Sequence, residues 1–84
     1  MANVTDNKAS NRYELITDGH VSVADYLLEG ETLTITHVGV PEALRGRGIA
    51  AQVMDGVLAD AKARGLHINP LCSYASAYMA RHKI

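Results

Sequence analysis

Between positions 13 and 40 the chain alternates apolar and polar side chains in three short runs separated by glycine-containing turns. Tyr13 to Thr17, Val21 to Leu28 and Leu33 to Val40 read as β-strands, rich in Val, Ile, Thr and Leu. Asp18-Gly19 between the first two predicts a tight hairpin, and Glu29-Gly30-Glu31 makes the next turn. Three such strands in succession predict an antiparallel meander, with a β-bulge at Gly39 near its end. From Ile49 the period changes. Ile49, Val53, Met54, Val57, Leu58 and Ala61 recur three and four apart, which predicts an amphipathic helix from Ile49 to Arg64 stopped by Gly65. Gly56 inside that helix predicts close packing on the sheet. His67 to Leu71 reads as a short strand parallel to the third, completing a right-handed βαβ unit. Pro70 cannot donate to a ladder, so it belongs where the two strands have separated. Ser73 or Ser76 caps a final helix ending near His82. The expected fold class is α+β, sandwich-like: a meander, a βαβ unit and a C-terminal helix. Residues 1–10 are polar and aperiodic and predict a flexible start, with residues 11–84 as one domain.

The junction between the third strand and the first helix carries the chemistry. Val40-Pro41-Glu42-Ala43-Leu44-Arg45-Gly46-Arg47-Gly48-Ile49-Ala50 places two glycines and two arginines at a helix start. Gly46 and Gly48 let backbone approach a ligand closely, and the helix start offers unpaired N–H groups with a partial positive charge. Arg45 and Arg47 add guanidinium forks suited to phosphate oxygens. The whole reads as a pyrophosphate site. It has neither GxxxxGK[ST] nor GxGxxG, so neither a Walker loop nor a dinucleotide fingerprint is present.

Composition narrows the context. A chain of 84 residues, 48% hydrophobic with net charge −1, is that of a folded protein. A chain this size buries only about 60–65% of its unfolded surface. Residues 1–44 carry two basic and seven acidic side chains; residues 45–84 carry six basic and two acidic. The basic half thus begins at the glycine turn, a pattern that fits a small polyphosphate rather than nucleic acid. No apolar run approaches the ~20 residues of a membrane span, and no secretory or lipidation signal opens the chain. One cysteine makes no internal disulfide. A cytoplasmic protein without membrane association is expected. Tyr13 to Thr17 is the expected exposed sheet edge, with Glu14 discouraging edge pairing, so a monomer is expected. The four histidines and one cysteine show no ligand spacing, and no metal is expected.

Arg45, Gly48 and Ala50 fill the fixed positions of [RQ]-x-x-G-x-[GA], motif A of the GNAT superfamily of acetyl-CoA-dependent N-acetyltransferases, which this stretch resembles. Over about Glu14 to His82 the chain is similar to the minimal GNAT-like proteins. The shared pattern is Asp18-Gly19, Ala24 and Tyr26, Thr36-His37, Val40 through Gly48, then Cys72, Tyr74, Tyr78 and His82. The resemblance implies a truncated GNAT fold with a splayed strand pair, a slot for the pantetheine arm, and acetyl-CoA as cosubstrate. It implies that backbone of Val38 and Val40 pairs with pantetheine, and that the turn Arg45, Gly46, Arg47, Gly48, Ile49, Ala50 holds the pyrophosphate. The implied activity is N-acetyl transfer by direct attack of a primary amine, on a small molecule or on a protein lysine or N-terminus. The alternatives are a non-catalytic CoA or acyl-CoA binding module and an interaction domain that keeps only the fold. Full-length relatives carry two helices between their first strands that help wall the acceptor site. Here only Asp18 to His20 can lie between those strands. Their general-acid tyrosine aligns with Met79, with Tyr78 beside it.

Three residues are candidates for catalysis. Cys72 follows the last strand, where the resemblance puts the thioester; it either accepts acetyl, lines that pocket, or is a small buried hydrophobe. His37 alternates with Leu33 and Ile35 and is expected on their sheet face, as general base or as a half-buried histidine bonded to backbone. Tyr78 shares a helix face with Tyr74 and either packs the core or hydrogen-bonds the leaving sulfur.

Overall fold

The computed structural model describes residues 4–82. Strands β1 (Thr5–Asn7), β2 (Arg12–Thr17), β3 (His20–Glu29), β4 (Thr32–Gly39) and β5 (His67–Pro70) form one sheet in that order. Helix α1 (Ile49–Ala63) joins β4 to β5, and α2 (Ser73–Arg81) follows β5. β1 to β4 pair antiparallel and β5 runs parallel to β4. The meander, the βαβ unit and the final helix stand where the hydrophobic periods put them. Tyr13, Leu15, Ala24, Tyr26, Leu33 and Ile35 form the buried face of the sheet. Val53, Met54, Val57 and Ala61 of α1 and Ala75 and Tyr78 of α2 cover that face. Ile16, Val21 and Leu27 point out of the other, helix-free face and are exposed.

The start of the chain departs from expectation. Residues 4–10, read as part of a flexible start, carry β1 and a 3-10 turn over Lys8–Ser10; residues 1–3 lie outside the described residues. Three contacts outweigh the polar composition. Tyr26 donates its hydroxyl to Asp6 at 2.6 Å, and Arg64, the C-cap of α1, bonds Asp6 at 3.0 Å. Val4 lies against Gly56, where an added Cβ would collide with it. The mid-helix glycine therefore receives the N-terminal segment rather than the sheet. Tyr13 to Thr17 is consequently an inner strand, and the edge is the three-residue β1, whose shortness limits edge pairing.

The expected bulge is also elsewhere. Gly39 pairs regularly with Val23, while Asp25 faces His37 and Tyr26 faces Ile35, leaving Thr36 as the extra residue. A bulge of this kind needs no glycine. Thr36 supports it by donating its hydroxyl to the Asp25 carbonyl at 3.3 Å. α2 is capped by neither expected serine: Cys72 is its N-cap residue, without a side-chain bond, and Ser73 is already helical.

A polar network fastens α1 to the sheet. Tyr13 donates to Asp60 at 2.7 Å, and Arg64 bridges Asp60 and Asp6. Burial and the Asp6 carboxylate push Tyr26 up to about 12, and burial with Asp60 pushes Tyr13 up further. Burial alone would raise Asp60, but hydrogen bonds from Tyr13 and Arg64 outweigh it and hold its carboxyl below the ordinary value. The tyrosines favour the folded state fully below their unfolded value near 10, and that contribution fades as pH rises through the folded values. The Asp60 contribution is present above about pH 4 and fades as pH falls. The urea midpoint should be flat from about pH 5 to 9 and fall on both sides. Tyr26→Phe should shallow the alkaline fall. A midpoint still rising between pH 9 and 11 would contradict this account.

Candidate phosphate and acyl site

Past β4 the chain enters a 3-10 turn over Glu42–Leu44, closed by Leu44 N–H to Pro41 O at 2.9 Å and Arg45 N–H to Glu42 O at 3.2 Å. Leu44 is 1% exposed and pegs this turn into the core. Gly46 (φ +80°) and Gly48 (φ +74°) then take left-handed conformations on either side of Arg47. Such alternation gathers successive N–H groups into an anion-binding concavity. The first helical bond of α1 runs from Gln52 N–H to Gly48 O at 3.2 Å. The N–H groups of Ile49, Ala50 and Ala51 therefore have no acceptor among the described residues. Glycine at the N-cap supplies no side-chain acceptor, and the first turn holds no acidic residue. The positive end of the α1 dipole stands uncompensated.

These donors open on a groove of about 260 Å³ lined by Val40, Arg45, Gly46, Gly48, Ala50 and Tyr74, among others. No described residue lies within 4 Å of a Cβ built on Gly46 or Gly48, so among the described residues the space above the turn is free. Arg47 does not line the groove. Its Nη1 instead bonds Asp18 Oδ2 at 2.9 Å, in the β2–β3 turn. A larger groove of about 520 Å³ lies between the end of α1, β5 and α2. Leu58, Leu66, Ile68 and Met79 make it apolar, and no helix start lines it, so the groove with the free donors is the smaller of the two. Met79, at the position of the aligned general-acid tyrosine, lies in this other groove.

β4 and β5 pair only from Thr32↔His67 to Ile35↔Pro70. Leu71 and Cys72 then both donate to the Ile35 carbonyl, at 3.1 and 3.0 Å. Beyond that point β4 continues to Gly39 with no strand on its β5 side among the described residues, a splayed slot with Pro70 at its closed end. The bulge decides which backbone faces this slot. Tyr26 N–H points away from β4, to Asn11 O, so its neighbour Asp25 turns toward β4 and His37 toward Asp25. Val38, one residue on, turns its backbone to the slot, as Ile35 does.

The same bulge moves His37. Thr36 is inserted between Ile35 and His37, so the imidazole leaves the helix-free face and not the face of Leu33 and Ile35 as expected. His37 is exposed, not half-buried, and its Nε2 lies 2.9 Å from where a Cβ on Gly39 would stand. Cys72, partly buried, sits at the start of α2, beside the closed end of the slot. Tyr78 is not brought there. Its hydroxyl donates to Asp55 of α1, its ring packs on His82, and it lies about 9 Å along α2 from Cys72.

Sequence reasoning missed Tyr74, read only as sharing a helix face with Tyr78, and Asp18, read only as a turn residue. The Tyr74 signal was its helix face, shared with Tyr78, which must meet α1 somewhere along its length. Asp18 had no local signal, because its partner is 29 residues away. Among the described residues no three metal-ligating side chains gather, and no helix is long and apolar enough to cross a membrane. The family model described as GCN5-related N-acetyl-transferase matches residues 12–84. No curated protein matches the chain.

Proposed function

This chain belongs to the GCN5-related N-acetyltransferases, and on that footing we propose that it binds acetyl-CoA and transfers acetyl to a primary amine. The observation that carries this is the set of free N–H donors over open space at the start of α1. Backbone of Gly46 to Ala50, with Arg45 beside it, holds the pyrophosphate. Val38 and Val40 offer backbone to the pantetheine arm along the splayed edge of β4. Acetyl-CoA supplies an activated acetyl group, whose C–S bond breaks as the C–N bond to the amine forms. His37, on the helix-free face, takes the proton of an amine arriving from that side. Cys72 and the free N–H groups of the first turn of α2 stabilise the departing thiolate.

CoA release with a panel of primary amines tests transfer, and isothermal titration with acetyl-CoA tests binding. Saturating acetyl-CoA should slow alkylation of Cys72 by iodoacetamide at least tenfold, with the protein still folded. Equal rates with and without acetyl-CoA would remove Cys72 from the site. A second reading, an acetyl-CoA binding module without turnover, is favoured by the two-residue β2–β3 turn and by the engagement of Tyr78 with Asp55. Binding without release of CoA to any amine would select it.

A further inference from the structure

Arg47 stands between the two left-handed glycines of the phosphate turn, yet its charge is spent on Asp18. The β2–β3 turn is rigid: Thr17 pairs with His20, and Asp18 (φ +50°) and Gly19 (φ +78°) both take the positive φ of a I′ hairpin. The carboxylate is thus delivered from a fixed platform, and the guanidinium swings to it from a flexible side chain. Both partners are exposed, 67% for Asp18 and 48% for Arg47. An exposed pair of this kind is weak and readily exchanged for a better anion.

Resting on the acetyl-CoA reading, we infer that Asp18 is an internal stand-in for a ligand phosphate. It holds Arg47 out of the groove and sets the affinity of the site for polyanionic ligands. Two effects oppose each other. The ion pair steadies the glycine turn, which favours binding, while its carboxylate repels the ligand and occupies a phosphate-binding fork. The steadying effect is small because the pair is exposed and the 3-10 turn leading into the glycines is already pegged by Leu44 and closed by two backbone bonds. Release of the Arg47 fork to a ligand of several negative charges is the larger effect at low salt, and loss of the carboxylate's own repulsion the smaller.

Asp18→Asn separates charge from shape, since asparagine tolerates the left-handed conformation and Asn-Gly is a favoured I′ pair. Titrated with CoA in about 20 mM salt, this variant should bind three- to tenfold tighter than the unmodified chain, with its melting temperature unchanged. In about 0.5 M salt the gain should fall below twofold. In an Arg47→Gln background the same substitution should gain less than twofold, because the freed fork is gone. Affinity unchanged or weakened by Asp18→Asn would overturn the inference while leaving CoA binding intact, and so would an equal gain in the Arg47→Gln background. No heat with CoA for either the unmodified chain or Asp18→Asn would instead defeat the acetyl-CoA reading, and the inference with it.

Discussion

Acetyl-CoA should raise the melting temperature of this protein, and Gly48→Val should abolish that rise. At about 100 times its dissociation constant a ligand adds about 2.7 kcal/mol to stability. In a chain of this size each kcal/mol moves the melting temperature by about 4–8 °C, so the expected rise is about 10–20 °C. Gly48 sits at φ +74°, where an L-residue costs about 1–2 kcal/mol and a β-branched one more. The described residues offer no clash, because none lies within 4 Å of the added Cβ. Valine would therefore lower the unliganded melting temperature by roughly 5–15 °C and fill the space where phosphate must meet backbone. Gly48→Ala carries most of the strain with less bulk and should keep part of the shift. A full acetyl-CoA shift in folded Gly48→Val would show that the ligand does not sit on this turn.

Leu44→Ala should be the most damaging single change in the segment between β4 and α1. Leu44 is 1% exposed and belongs to a three-residue 3-10 turn with no other buried side chain. Truncating a buried leucine costs about 2–5 kcal/mol. Total stability for a chain of this length is on the order of 4–13 kcal/mol, so the loss is a large share. The melting temperature should fall by at least about 10 °C. Because Arg45 follows directly, hydrogen exchange of the turn amides should accelerate more than that of β3. Leu71, 67% exposed, is the matched control, and Leu71→Ala should change stability by less than about 0.5 kcal/mol. A drop of under 3 °C for Leu44→Ala would mean the turn is held by its glycines and backbone bonds alone.

The elements that were legible in the sequence are those whose signal is local. Alternation over Leu33 to Ile35 and the three- and four-residue spacing from Ile49 to Ala61 report which side of a strand or helix is dry. That follows from hydrophobic burial, whatever the rest of the chain does. Asp18-Gly19 announced its hairpin because both central positions need positive φ. Gly46 and Gly48 announced a left-handed turn for a similar reason, and Arg45 to Ala50 stand at the start of α1 as read. The positions that misled are those settled by partners distant in sequence. Polar residues 4–10 form structure because Tyr26 and Arg64 claim Asp6 and Gly56 makes room for Val4. His37 changed faces because one extra residue, Thr36, entered the ladder, and a period of two has no tolerance for a single insertion. Arg47 left the groove because a carboxylate 29 residues earlier reached it first. Local periodicity and turn chemistry thus determined the elements, their order and the glycine turn at the start of α1. Only the tertiary structure decided which side chains face that turn, because register and ion pairing depend on residues far apart along the chain.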